Sequence, residues 1–479
     1  MTLESEELCF APATELARSF RAREVSPVEV MGALLDRIEQ VNPEVNAFVT
    51  LRAAEARAEA CKAEKQFVTD DPVDLGPLTG IPVMVKDLTT TAGVRTTFGS
   101  PDFADYVPEV DAPIWARLKQ AGAILLGKTT TPEWGEKGVT ESQLTGVTNN
   151  PWDVSRTAGG SSGGSAAALA AGFGPLATGS DAGGSIRVPS SFCGVVGLKP
   201  SPGRIPFGLE EAPFDSVSVV GPMARTVSDC AFMLSLVAGP DPADPIALPA
   251  SDDDYLSLLE GASVRGLRVA VSLDLGLPPI EAQVRAGLTR AARVFESELG
   301  AAVEEVDLRL PDPFEYFIKC WGPQGMLLQE QMGLAFDQSS AVLQEMDRTA
   351  REMSALDFAR VLFGDRAAIH RAFADVFAGH DLLLMPTTPM VAFPHPGAPG
   401  GPLKVAGQAS RYPMLENQRC TEAIAHAGYP AISVPCGFTS EGLPIGLQIA
   451  GRHRDEVTIL RAAAAYEAAT TWTKTRPPL

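Results

Sequence analysis

The sequence predicts an α/β fold built as one large unit, and three observations carry that expectation. Short apolar runs of strand type alternate with Ala- and Leu-rich helical stretches. Over 479 residues, a hydrophobic content of 45% with 20% charged residues supplies a large core. No internal repeat and no low-complexity linker divides the chain into separate domains.

Composition then narrows the class. With 39 Lys and Arg against 59 Asp and Glu, the formal charge of -20 disfavours nucleic acid and anionic membrane surfaces. No basic patch carries interleaved aromatics, so neither partner is expected. The seven cysteines, Cys9, Cys61, Cys193, Cys230, Cys320, Cys420 and Cys436, are odd in number and never spaced C-x-x-C. That pattern argues against a disulfide framework or a zinc knuckle. No pair of histidines or carboxylates shows ligand spacing, so no metal and no cofactor is expected. The acidic start has no signal-peptide character and no apolar run approaches a membrane span, so a cytoplasmic enzyme is the expectation.

Taken in order, residues 11–50 read as helical, with Ser26-Pro27-Val28-Glu29 offering an N-cap, a first-turn proline and a capping-box glutamate. A second helix is expected over 52–65, making residues 1–65 a helical scaffold. Residues 80–87 form an apolar strand ending in Lys86, which leaves two readings: an ammonium reaching water, or a buried amine with a lowered pKa. A helix over 111–121 and a strand over 123–126 follow. Gly122 to Thr129 fits the P-loop pattern, but its four intervening positions are apolar and strand-like, so no phosphate cradle is expected. Further on, the sequence predicts helices at 226–237, 280–299, 414–427 and the Ala-rich C-terminus, and strands at 267–271, 302–308, 380–386, 431–434 and 445–449. Residues 313–378 read as a helical, cap-like insertion, and 394–401 as a Pro/Gly-rich loop.

The chemistry concentrates in residues 157–200. Two Gly-Gly-Ser turns, Gly159-Gly160-Ser161 and Gly183-Gly184-Ser185, flank an Ala-rich helix. Such turns present a hydroxyl beside closely approaching backbone N–H groups, which acyl transfer requires. A flexible Gly/Ser linker fits poorly, because the stretch runs directly into a helix. A nucleophile elbow at Gly160-Ser161-Ser162-Gly163-Gly164 stays open; the five histidines all lie in the last quarter of the chain, but that reading leaves Ser185 without a role.

The glycine-serine block at 159–165, the second serine in Asp181-Ala182-Gly183-Gly184-Ser185-Ile186-Arg187, the upstream Pro82-Val83-Met84-Val85-Lys86-Asp87, and Phe192 to Pro200 together resemble the amidase signature family. The resemblance is specific over 78–206, which it marks as the catalytic core, and looser over 240–415. It implies a single amidase domain spanning 1–479, with a central mixed, mostly parallel β-sheet covered by helices on both faces. It also implies a Ser-Ser-Lys triad in which Ser185 is the nucleophile, Ser161 follows a cis peptide and relays the proton, and Lys86 is the base. Backbone N–H groups of Ala182, Gly183, Gly184 and Ser185 would form the oxyanion hole; the family commonly has Thr or Ile where this chain has Ala182. Asp181 and Arg187 are expected to pair and hold the turn. By the same resemblance, Trp134 and Gly138 would line the substrate pocket. The implied reaction is hydrolysis of a carboxylic amide, anilide or related carbamate or ester by a monomer or homodimer. The alternative is the glutaminase chain of a tRNA-dependent amidotransferase.

Overall fold

Eleven strands pair into one sheet: β1 (Phe48–Leu51), β2 (Pro82–Lys86), β3 (Ile124–Thr129), β4 (Leu176–Asp181), β5 (Val196–Lys199), β6 (Val219–Ala224), β7 (Arg268–Val271), β8 (Ala302–Glu305), β9 (Leu382–Pro386), β10 (Ala431–Phe438) and β11 (Pro444–Gly451). Their spatial order is β1-β3-β2-β4-β6-β5-β10-β11-β9-β7-β8. The computed structural model describes residues 5–208, 214–251, 253–311, 313–332, 341–395, 403–410, 412–413 and 415–479. The fold is therefore a single α/β domain around a mixed sheet, as expected. Most of the loop expected at 394–401 lies outside the described residues.

The expectation of a mostly parallel sheet is corrected. Parallel pairs are β2/β3, β2/β4, β7/β8 and β7/β9. The six others, β1/β3, β4/β6, β5/β6, β5/β10, β10/β11 and β9/β11, are antiparallel. Short links such as the one between Phe438 and Pro444 admit only antiparallel return, whereas parallel neighbours need a helical crossover.

Period-two alternation places the core on both faces of the sheet. On β2, Val83 and Val85 join one buried cluster, with Val227, Ala231 and Leu234 of the helix Val227–Val237. Met84 joins the other, with Ala166, Ala167 and Leu169 of the helix Gly163–Ala170. That second helix is buried on every side, so it shows no amphipathic stripe.

Several expected elements differ in detail. Residues 48–51 are a strand, because the left-handed Asn46 ends the preceding helix and Phe48–Leu51 then pairs with β3. The helix expected at 414–427 is two short pieces, Glu416–Gln418 and Glu422–His426. The P-loop look-alike is a strand through Thr129, with the Lys128 ammonium buried on the Thr89 carbonyl at 2.8 Å and Asp87 at 3.4 Å. No phosphate can reach it. Because β2 and β4 run parallel, Lys86 and Asp181 close the carboxyl ends of neighbouring strands on the same side, where open α/β sheets place their sites.

Candidate active site

Lys86 is fully buried, and its Nζ contacts the Oγ of Ser161 at 2.7 Å and of Ser180 at 2.8 Å. Burial lowers its pKa to about 7, while Asp181 nearby acts in the opposite direction. Of the two sequence readings of Lys86, the buried amine is therefore the one found. Ser161 is held by the turn before the buried helix, where Gly159 takes a φ of +77° and the Gly160–Ser161 peptide is cis. A side chain at Gly160 would meet the Val139 backbone at 2.7 Å, so only glycine lets the turn approach that loop.

The second turn lies against the first. Ser162 N–H donates to the carbonyl of Ser185 at 3.1 Å, and Ser185 is nearly buried. The Asp181 carboxylate accepts from Ile186 N–H at 3.1 Å and from Arg187 Nε at 2.9 Å and Nη2 at 2.7 Å. Both side chains of that pair are buried, and Arg187 continues to Gln448. The expected role of this pair in holding the turn is thus seen directly. Thr421 Oγ1 donates to the Gly183 carbonyl at 2.6 Å, while Gly184 takes a φ of +140° that favours glycine.

Trp134 stacks on Phe98 with centroids 5.0 Å apart and, with Trp321, packs against an apolar cluster that includes Phe314, Phe317 and Leu415. Gly138 is covered: its carbonyl accepts from Asn417 Nδ2, and a side chain there would strike Asn417 Oδ1 at 2.0 Å. Ser162, the centre of the elbow motif, is fully buried with its Oγ on the Ser180 backbone. His426 instead pairs with Glu422 at 2.6 Å and with Tyr316 at 2.8 Å. Burial opposes charge on His426, yet the Glu422 carboxylate outweighs it and lifts the pKa to about 9.

Sequence reasoning missed Ser180, Thr178 and Thr421. Thr178 Oγ1 accepts from the Lys86 N–H at 3.0 Å, so Thr178 and Ser180, two apart on β4, both serve Lys86. Gly179 sits between them and masks the strand in the sequence, so their alternation was not readable there. Thr421 lies 238 residues from Gly183 and left no local trace.

The Amidase family model matches residues 29–460. The chain belongs to the amidase signature family. It is 38% identical over 483 residues to an acylamidase of Rhodococcus erythropolis, covering 99% of this chain and 98% of that one. It is also 38% identical over 498 residues to the A subunit of the glutamyl-tRNA(Gln) amidotransferase of Moorella thermoacetica, covering 99% of both. Among solved structures, a bacterial aryl acylamidase of the amidase signature family superposes with a TM-score of 0.89 at 30% identity, covering 97% of each chain. As an amidase signature enzyme the chain acts on amide C–N bonds. Among the described residues, no helix is long and apolar enough to cross a membrane and no cluster of ligand-type residues could hold a metal.

Proposed function

We propose that this amidase hydrolyses small neutral amides, with anilides foremost, through an acyl-enzyme on Ser185. The observation that carries the reading is the buried 2.7 Å contact between Ser161 and a Lys86 amine whose pKa falls to about 7. Ser185 Oγ attacks the carbonyl carbon; its proton moves to Ser161 as the Ser161 proton moves to Lys86. The oxyanion is held by the backbone N–H groups of Ala182, Gly183, Gly184 and Ser185. Ser161 then protonates the leaving amine, drawing its proton from Lys86, and the C–N bond breaks. Water, deprotonated along the same path, releases the acid and restores Ser185. The Trp134 cluster, joined by the helix Pro313–Met332, supports an apolar or aromatic pocket under a cap that includes the helices Pro313–Met332 and Ala341–Glu352; residues 333–340 of the expected insertion lie outside the described residues. All seven cysteines are free, six of them buried, which suits a reducing cytoplasmic setting.

The 38% identity to the amidotransferase chain favours one second reading, a glutaminase needing a partner. A panel of 4-nitroanilides, aliphatic amides, a carbamate and glutamine separates the two. Anilide or amide hydrolysis that falls by about 10⁴-fold or more in Ser185→Ala and is similarly crippled in Lys86→Ala is the expected result. Glutamine as sole substrate, or full activity in Lys86→Ala, overturns it.

A further inference from the structure

Beside the oxyanion turn lie two buried oxygens that no described hydrogen-bond donor meets: Glu422 Oε2 and Gln418 Oε1. Both residues are almost wholly buried, Glu422 at 1% and Gln418 at 3% exposure. The two oxygens converge. The point that a side-chain carbon on Gly183 would occupy is 2.0 Å from Glu422 Oε2 and 3.3 Å from Gln418 Oε1. Gly183 is absent from the glycines with positive φ, so glycine is needed there for space and not for backbone conformation.

The carboxyl group is not free to turn away. His426 Nε2 fixes Glu422 Oε1 at 2.6 Å, and Tyr316 fixes the other ring nitrogen of His426 at 2.8 Å. Tyr316 and Trp321 also pack edge-on to that imidazole, at centroid distances of 4.7 and 5.7 Å. What remains is a carboxyl oxygen and an amide oxygen packed side by side against Gly183, next to the residues proposed to bind the scissile carbonyl. Buried acceptors without donors are uncommon in folded proteins, because their lost hydration is uncompensated.

We infer that Glu422 and Gln418 form a specificity subsite for an N–H donor carried by the acyl part of the substrate, such as a second amide or carbamate nitrogen. The inference rests on the amidase reading above. The acyl side is assigned because the two oxygens adjoin Gly183, in the turn proposed to hold the scissile carbonyl, which belongs to the acyl part. An acceptor-only site of this kind discriminates strongly against analogues lacking the donor, since its oxygens are then left bare.

Matched substrates test it. The 4-nitroanilides of N-acetylglycine and N-acetyl-β-alanine differ from those of 4-oxopentanoic and 5-oxohexanoic acid only by N–H in place of CH2. The expected result is a kcat/KM at least about tenfold higher for the N–H member of one pair, the scale of a hydrogen bond to a charged group. In Glu422→Gln, His426 retains the amide oxygen and the NH2 turns to the site, so the ratio falls to one or below. In Gln418→Leu it falls part of the way. Each ratio is taken within one protein, which cancels any general loss of activity or of folded enzyme. A wild-type ratio near one in both pairs, as when the two oxygens hold only water, overturns the subsite while leaving the amidase reading intact. Failure to cleave any member of either pair, with plain 4-nitroacetanilide also untouched, overturns the amidase reading and this inference with it.

Discussion

The two Gly-Gly-Ser turns are nearly identical in sequence and are supported in opposite ways. Gly159-Gly160-Ser161 is held without an ion pair among the described residues: Gly159 N–H donates to Thr157 Oγ1 at 3.0 Å, and Gly160 fits against the Val139 backbone. Its product is one hydroxyl, Ser161, on Lys86. Gly183-Gly184-Ser185 is held by charge and polar side chains: Asp181 with Arg187, Arg187 with Gln448, and Thr421 on the Gly183 carbonyl. In the proposed mechanism it supplies backbone N–H groups for the oxyanion and the Ser185 hydroxyl. A proton relay needs one side chain placed by packing, whereas an oxyanion site needs main chain locked in orientation. Repetition of a motif therefore does not mean repetition of a role.

The largest expected break in this contrast is Asp181→Asn, which leaves the buried Arg187 guanidinium without its carboxylate. A loss of about 3–5 kcal/mol in urea unfolding is expected, the range for breaking a buried ion pair. Next comes pH. Lys86 must be neutral to accept a proton, and its pKa lies at about 7, so kcat/KM should rise with pH to a plateau with a midpoint near that value. Below it, activity should fall about tenfold per pH unit. Asp181 raises the Lys86 pKa, so any folded Asp181→Asn enzyme should show the midpoint displaced to lower pH. A profile flat from pH 5 to 9 would remove Lys86 from the mechanism. The smallest effect is expected for Thr421→Val, which loses the bond to the Gly183 carbonyl while keeping volume. A kcat reduced about tenfold with KM little changed would mark it as a residue that positions the turn.

Much of the architecture was legible. The runs at 80–87 and 123–126 are continuously apolar and became β2 and β3, and the capping box at Ser26 opens the helix Pro27–Val45 as expected. The strands β4, β5 and β6 were not legible, because Gly179, Gly197, Gly221 and Pro222 interrupt their pattern. The structure gives the reason for the glycines. A side chain at Gly197 would meet Ser190 Oγ at 2.2 Å, and one at Gly179 would meet Ile186 at 2.7 Å. Helix Arg187–Cys193 and its N-cap Ile186 thus press onto those strands, and local pattern gives way to close helix-to-sheet approach. Within the site, Lys86, Ser161 and Ser185 stood out because motif spacing marks them. Thr421, Gln418 and Glu422 meet the second turn only through the fold, from far along the chain, so no local periodicity or spacing could single them out.

The central claim is that the second turn, and not the first, carries the nucleophile. Its most direct test is to react the enzyme with a slowly released acylating agent, digest it, and locate the added mass by peptide sequencing in a mass spectrometer. The account predicts a single acyl group on Ser185, absent from Ser185→Ala and strongly slowed in Lys86→Ala. An acyl group on Ser161 or Ser162 in the wild-type enzyme would contradict it.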